Sequence, residues 1–212
     1  MYRRIQWLLA AVACLVSPFC LAAPDFSAVQ PSEDARFAAT QVLDSADHAG
    51  LPFAILDKRE ARLYVFGGNG RLMGASPVLL GLAVGDFAIP GVSGRAPASL
   101  SAAERTTPAG RFASEPGHND KGDDIVWVDY GASLAIHRLR PAPAIERRPD
   151  RLASPVAEDR RISFGCIVVP VAFYDAVVGP SLGRQRGVVY VLPESRPVQA
   201  MFGVVQVSLL GR

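Results

Sequence analysis

The spacing of apolar residues changes from helical to extended at Pro52. Before it, Ser32-Glu33-Asp34 predicts the start of a helix, with Ser32 as cap and acidic residues in the first turn. Phe37, Val42 and Leu43 share a face of that helix, and Gly50 ends it. His48 falls in its last turn, where a helix C-terminus favours a cation on the surface. After Pro52, the segments Phe53 to Leu56, Leu63 to Phe66 and Leu72 to Leu80 predict strands. Asp57 to Glu60 supplies one turn, and Gly67-Gly68-Asn69-Gly70 another, with the Asn-Gly pair that marks tight hairpins.

Asp86 to Thr106 is rich in Gly, Pro, Ser and Ala and predicts a long surface loop. Thr107-Pro108-Ala109-Gly110-Arg111-Phe112 is a turn feeding a strand, and His118 lies in a polar loop beyond it. Ile125 to Tyr130 alternates, with Ile125, Trp127 and Asp129 on one face, and Leu134 to His137 is the next strand. Arg140 to Arg161 predicts a solvated loop; its arginines either cover a wet face or meet an anionic substrate. Ile162 to Val169 is apolar around Ser163, Gly165 and Cys166, and Pro170 opens a short helix through Val178. Gly187 to Leu192 is a β-branched strand, and Val204 to Leu210 a last edge strand. The sum predicts a mainly β, sandwich-like domain with few short helices.

The N-terminus adds an address. Arg3 and Arg4 precede the apolar run Trp7 to Val16, with small residues at Cys20, Ala22 and Ala23. This layout predicts a secretory signal peptide over residues 1–22, an uncleaved anchor being the alternative. Residues 23–50 then form a linker and helix, 51–193 the functional domain and 194–212 a C-terminal extension. Cleavage would leave no integral membrane span and an exported protein. It would reduce 22 basic residues to 20, against 20 acidic, so the composition offers nucleic acid no basic partner surface. Cys14 and Cys20 would leave too, with Cys166 as the sole remaining cysteine and no internal disulfide to make.

A lone exported thiol is either buried structure or chemistry, and the neighbours of Cys166 favour chemistry. His137 closes an apolar strand, and 29 positions later Cys166 follows Gly165. An imidazole activates a thiol, and a glycine lets backbone N–H groups approach a substrate oxygen. The histidines and the cysteine do not sit at zinc-ligand spacings, so neither metal nor other cofactor is expected. His before Cys is the reverse of the papain-like order, and Ser-Phe-Gly-Cys does not match the caspase signature.

Four features recur in order: the Leu63-Tyr64-Val65-Phe66 strand with its Asn-Gly turn, Thr107-Pro108-x-Gly110-x-Phe112, the strand-terminal Ile136-His137, and Ser163-x-Gly165-Cys166-Ile167. Together they resemble the L,D-transpeptidase (YkuD-type) catalytic domain, over roughly Pro52 to Pro193. The resemblance implies a mainly β fold, a β-sandwich or mixed sheet. It also implies an exported enzyme, in the periplasm or facing the cell wall, acting on peptidoglycan stem peptides through a thioester on Cys166, with His137 as base. Water as acceptor would make it an L,D-carboxypeptidase, and a decayed site a wall-binding module. On the same ground, the N–H groups of Gly165 and Cys166 form the oxyanion hole, Ser163 shapes the loop, and a backbone carbonyl near Arg138 orients His137. The chain departs from the family at Phe164, often His, at Val168, usually Arg or Asn, and at Arg138, usually small. Arg138 is the expected replacement for the positive group missing at Val168.

Overall fold

The computed structural model describes residues 24–96 and 99–203; the signal peptide expected over 1–22 and the edge strand expected over 204–210 lie outside them. Its centre is an eight-stranded mixed sheet. In chain order the strands are β1 (Phe53–Asp57), β2 (Arg62–Phe66), β3 (Leu72–Pro77), β4 (Leu80–Gly81), β5 (Gly110–His118), β6 (Asp124–Asp129), β7 (Leu134–Arg138), β8 (Arg161–Ser163), β9 (Ile167–Val169) and β10 (Gly187–Val191). The large sheet runs β3-β2-β1-β10-β5-β6-β7-β9, and β4 and β8 form a small sheet of their own. The β1–β10 and β7–β9 pairs are parallel and the other pairs of the large sheet antiparallel.

The strands β1 and β10 are buried along their whole length, because each face of the sheet has its own cover. On one face, Ala54, Leu56, Val126, Ile136, Ile167 and Val189 pack against Tyr174, Val178 and Leu182. Those three lie in and just after a helical segment, α3 (Val171–Phe173), that continues as a π-helical turn (Tyr174–Val178) and a final turn (Gly179–Ser181). On the other face, Phe53, Ile55, Tyr64, Phe66, Val188 and Tyr190 meet α1 (Glu33–Asp44) through Ala35, Ala38, Ala39 and Val42. Small residues let α1 lie close to the aromatic floor. Each large apolar side chain buried there contributes about 1.5–3 kcal/mol. The architecture is mainly β and built on a mixed sheet; what covers it is helices on both faces rather than a second large sheet.

The Ser32 hydroxyl caps α1, accepting from the Ala35 N–H at 3.0 Å. Phe37 and Leu43 are only partly buried, and alanines fill most of the contact. The helix stops at Asp44, so His48 is not in its last turn. Its ring is buried beside Phe53, with Nε2 3.0 Å from the Gly68 carbonyl, contrary to the surface position expected of it. The single strand expected over 72–80 is two: β3 ends at Pro77, and β4 leaves for the small sheet. His118 belongs to β5, paired with Asp124 at the surface. In β6 it is Val126 and Val128 that enter the main core, with a register shift between Trp127 and Asp129. The expected loop over 140–161 holds the short helix α2 (Arg148–Ala153) and buries Leu152 and Arg160. Beyond Pro193, Glu194 and Val198 are buried against the same body.

Candidate active site

The parallel pairing of β7 with β9 aligns Ile136 with Ile167, His137 with Val168 and Arg138 with Val169. Alternation then sends Ile136 and Ile167 into the core and leaves His137 and Val168 on the opposite face. Cys166 stands one residue before β9. His137, Val168 and Cys166 accordingly line one cavity of about 380 Å³, together with Ser133, Ser163 and Phe164. The 29 positions from His137 to Cys166 are thus spanned by a crossover between parallel strands, which is necessarily long.

His137 is oriented by its own chain. Its Nδ1 lies 2.7 Å from the Arg138 carbonyl. A carbonyl only accepts, so Nδ1 carries the proton and Nε2 keeps its lone pair. Burial pulls the His137 pKa down to about 4, against the pull of that carbonyl, and the nearby charges of Arg140 and Arg148 lower it further. The imidazole is therefore neutral at neutral pH.

Cys166 is half-buried and forms no disulfide. Burial raises its pKa, opposed by a backbone hydrogen bond from Ala135 and by the charge of Arg140. At rest the cavity thus holds a neutral thiol and a neutral imidazole. The Cys166 Sγ donates to the Ser133 carbonyl at 3.4 Å, in the turn between β6 and β7.

The turn that presents the thiol is strung on side chains. The Ser163 hydroxyl donates to the Cys166 carbonyl at 2.7 Å and accepts the Gly165 N–H at 3.1 Å. The Gly165 N–H is therefore occupied, and among the described residues the N–H of Cys166 has no partner. Gly165 has φ +136°, and a Cβ there would lie 2.8 Å from the Thr106 carbonyl, so no other residue fits. The buried Thr107 hydroxyl donates to the Gly165 carbonyl at 2.8 Å and accepts the Gly81 N–H at 2.9 Å.

The chain is similar to solved L,D-transpeptidases. The structure of LdtMt1 in complex with imipenem superposes with a TM-score of 0.38 at 16% identity, over 66% of this chain and 58% of that one. An L,D-transpeptidase from Mycobacterium smegmatis gives 0.37 at 17%, over 66% and 58%. One from Xylanimonas cellulosilytica DSM 15894 gives 0.40 at 17%, over 74% and 68%. The chain thus spans less than two thirds of the first two. No family model and no curated protein matches it. The functional reading rests on the cavity and its residues.

Behind the Thr107 turn lies a buried ionic network that sequence reading missed. Lys58, in the turn expected over Asp57 to Glu60, is fully buried, and its Nζ reaches Asp86 at 2.9 Å, Glu194 at 3.3 Å and the Thr107 carbonyl at 3.0 Å. Glu194 also pairs with Arg161. Burial alone would raise the Asp86 pKa, but hydrogen bonds from Ser195 and the Glu194 N–H, with Lys58, hold it well below the carboxylate range. The network anchors both ends of the 86–106 loop and, through Thr107, the turn that carries Cys166.

Two expected site residues sit differently. Arg138 points to the other face of β7, with Nε 2.7 Å from Asp175 and its guanidinium 4.0 Å from the Tyr174 ring centroid. It does not line the thiol's cavity and cannot replace a positive group there. Val168 is buried with Leu79 and Leu152, an apolar floor completed by α2. The cations that do line the cavity are Arg95, Arg140 and Arg148, and nothing in the sequence set them apart from the other arginines of their loops. No helix among the described residues is long and apolar enough to cross a membrane.

Proposed function

We propose that this chain is an exported cysteine acyltransferase of the L,D-transpeptidase type, acting on peptidoglycan stem peptides. The observation that carries the reading is the convergence of Cys166 and His137, from separate elements, on one cavity, with His137 held in the tautomer a general base needs.

In this mechanism the Cys166 sulfur attacks the carbonyl of an L,D peptide bond. Its proton passes to Nε2 of His137. Because the thiol rests protonated and the imidazole is a weak base, the proton moves as the sulfur attacks rather than beforehand. The oxyanion meets the Cys166 N–H, the donor in the turn that Ser163 does not occupy. His137 returns the proton to the departing amine of D-Ala, leaving a thioester. An amine from a second stem peptide, or water, then takes the acyl group and the thiol is restored. Val168 contributes an apolar wall to the cavity, backed by Leu79.

The test uses native chain and Cys166→Ala with disaccharide-tetrapeptide muropeptides, followed by mass spectrometry. Crosslinked dimers in the native protein only mean transpeptidase; tripeptide alone means L,D-carboxypeptidase. The hydrogen bond of the thiol to Ser133 rather than to His137 favours a second reading, a wall-binding module with an idle thiol. Muropeptide retention without turnover or an acyl adduct on Cys166 would establish that one instead.

A further inference from the structure

We infer that Arg140 and Arg148, which line the same cavity as the thiol, form the anion receptor by which this chain selects and positions the carboxylate of its acyl donor. The inference rests on Cys166 being the nucleophile and adds which side chains make the selection.

Three arginines line the cavity, and among the described residues no aspartate or glutamate does. The floor offers the ligand nothing polar at Val168. Selectivity for a charged group must therefore come from the roof, the insertion between β7 and β8 to which Arg140 and Arg148 belong. Their acidic partners stand outside the cavity. Arg95 is engaged at 2.5 Å by Glu104, and Arg148 at 2.5 Å by Glu146 through Nε alone. Arg140 has only a 3.5 Å contact of its Nε with Asp123. A guanidinium carries five N–H donors in a planar fork suited to a carboxylate. Arg140 thus keeps most of its donors for a ligand, and Arg148 keeps its terminal nitrogens. Both charges are felt at His137, and that of Arg140 at Cys166 as well, so the receptor lies within electrostatic reach of the reacting groups. Pro141 and Pro143 stiffen the segment between the two arginines, which limits the entropy lost when they close on an anion.

The test compares two alkylating reagents that differ only in charge. Iodoacetate and iodoacetamide each form an S–CH2 bond to the same thiolate as iodide leaves. Their rate ratio therefore cancels any change in thiol ionisation. Rates are measured on the full chain at pH 9 and low salt, and read at Cys166 by peptide mass mapping so that Cys14 and Cys20 do not contribute. The iodoacetate-to-iodoacetamide ratio should exceed that of free cysteine by about five- to tenfold, the size expected of a unit charge a few Å away in a solvated cleft. Arg140→Gln should return it to the free-cysteine value, Arg140→Lys should keep most of it, and Arg148→Gln should lower it in part. Half-molar salt should erase the excess in the native protein. A native ratio equal to that of free cysteine, or one that Arg140→Gln leaves unchanged, would overturn the receptor while leaving the nucleophile intact. No reaction with either reagent would overturn the nucleophile, and the receptor with it.

Discussion

His137 and Cys166 reach the same cavity by different means. His137 sits on a strand whose backbone is paired on both sides, and its ring is fixed by the adjacent carbonyl. Cys166 sits on a turn held by hydroxyls, Ser163 locally and Thr107 from 58 positions away, and by a glycine in a conformation that only glycine adopts. His137 is positioned by regular structure, which is redundant: losing one side chain leaves the ladder. Cys166 is positioned by individual buried polar groups, each of which is costly to leave unpaired. Disturbance should therefore concentrate on the side of Cys166.

The largest break is expected at Lys58. Lys58→Met leaves Asp86 buried without its cation and Glu194 with Arg161 alone, and should cost about 3–5 kcal/mol, measured by chemical denaturation. A loss below about 1 kcal/mol would mean that the network does not carry the 86–106 loop. Next comes Thr107→Val, which keeps the shape and strands the Gly81 N–H and the Gly165 carbonyl, at about 1–3 kcal/mol. Thr107→Ser should recover most of the stability and of the Cys166 alkylation rate. Equal stability of the valine and serine variants would remove Thr107 from the turn's support.

The last test concerns the side of His137 and is read in pH. The His137 pKa is held at about 4 against the ordinary 6.5. Between these values the unfolded chain binds a proton that the folded chain does not. The stability tied to a neutral His137 is thus fully present above about pH 6.5 and falls as pH drops towards 4. Asp86 contributes in the same direction only below the ordinary carboxylate range, so the two windows separate. Thermal melts of the native protein should fall more steeply from pH 6.5 to 4 than those of His137→Ala. Parallel slopes would show that the ring is not shielded as described.

The same contrast governs what could be read from the chain. The strand of His137, the Asn-Gly hairpin and the Ser32 cap follow from local rules of period and capping, and each stands where those rules put it. The Ser-x-Gly-Cys step was visible as a motif. Its supports were not, because Lys58, Asp86, Thr107 and Glu194 meet only after the sheet has formed. Locally, Lys58 looks like any charged turn residue and Asp86 like the start of a polar loop. Arg138 misled for a related reason: strand alternation gives it the face opposite His137, whereas Arg140, beyond the strand end, is released from alternation and turns back over the site. The occupied Gly165 N–H depends on the rotamer of Ser163, which no spacing reveals.

The parallel pairing of β7 and β9 has a consequence for how such a molecule diversifies. Two parallel neighbours cannot be joined by a tight turn, so the chain between base and thiol had to travel outward and return whatever else it did. The register that aligns His137 with Val168 is set inside the sheet and is indifferent to the length or content of that excursion. An insertion can lengthen, gain a helix such as α2 or exchange its arginines without shifting His137 against Cys166. Grafting a differently charged excursion between Leu139 and Arg161 is therefore the shortest route to a new preference on an unchanged cavity floor.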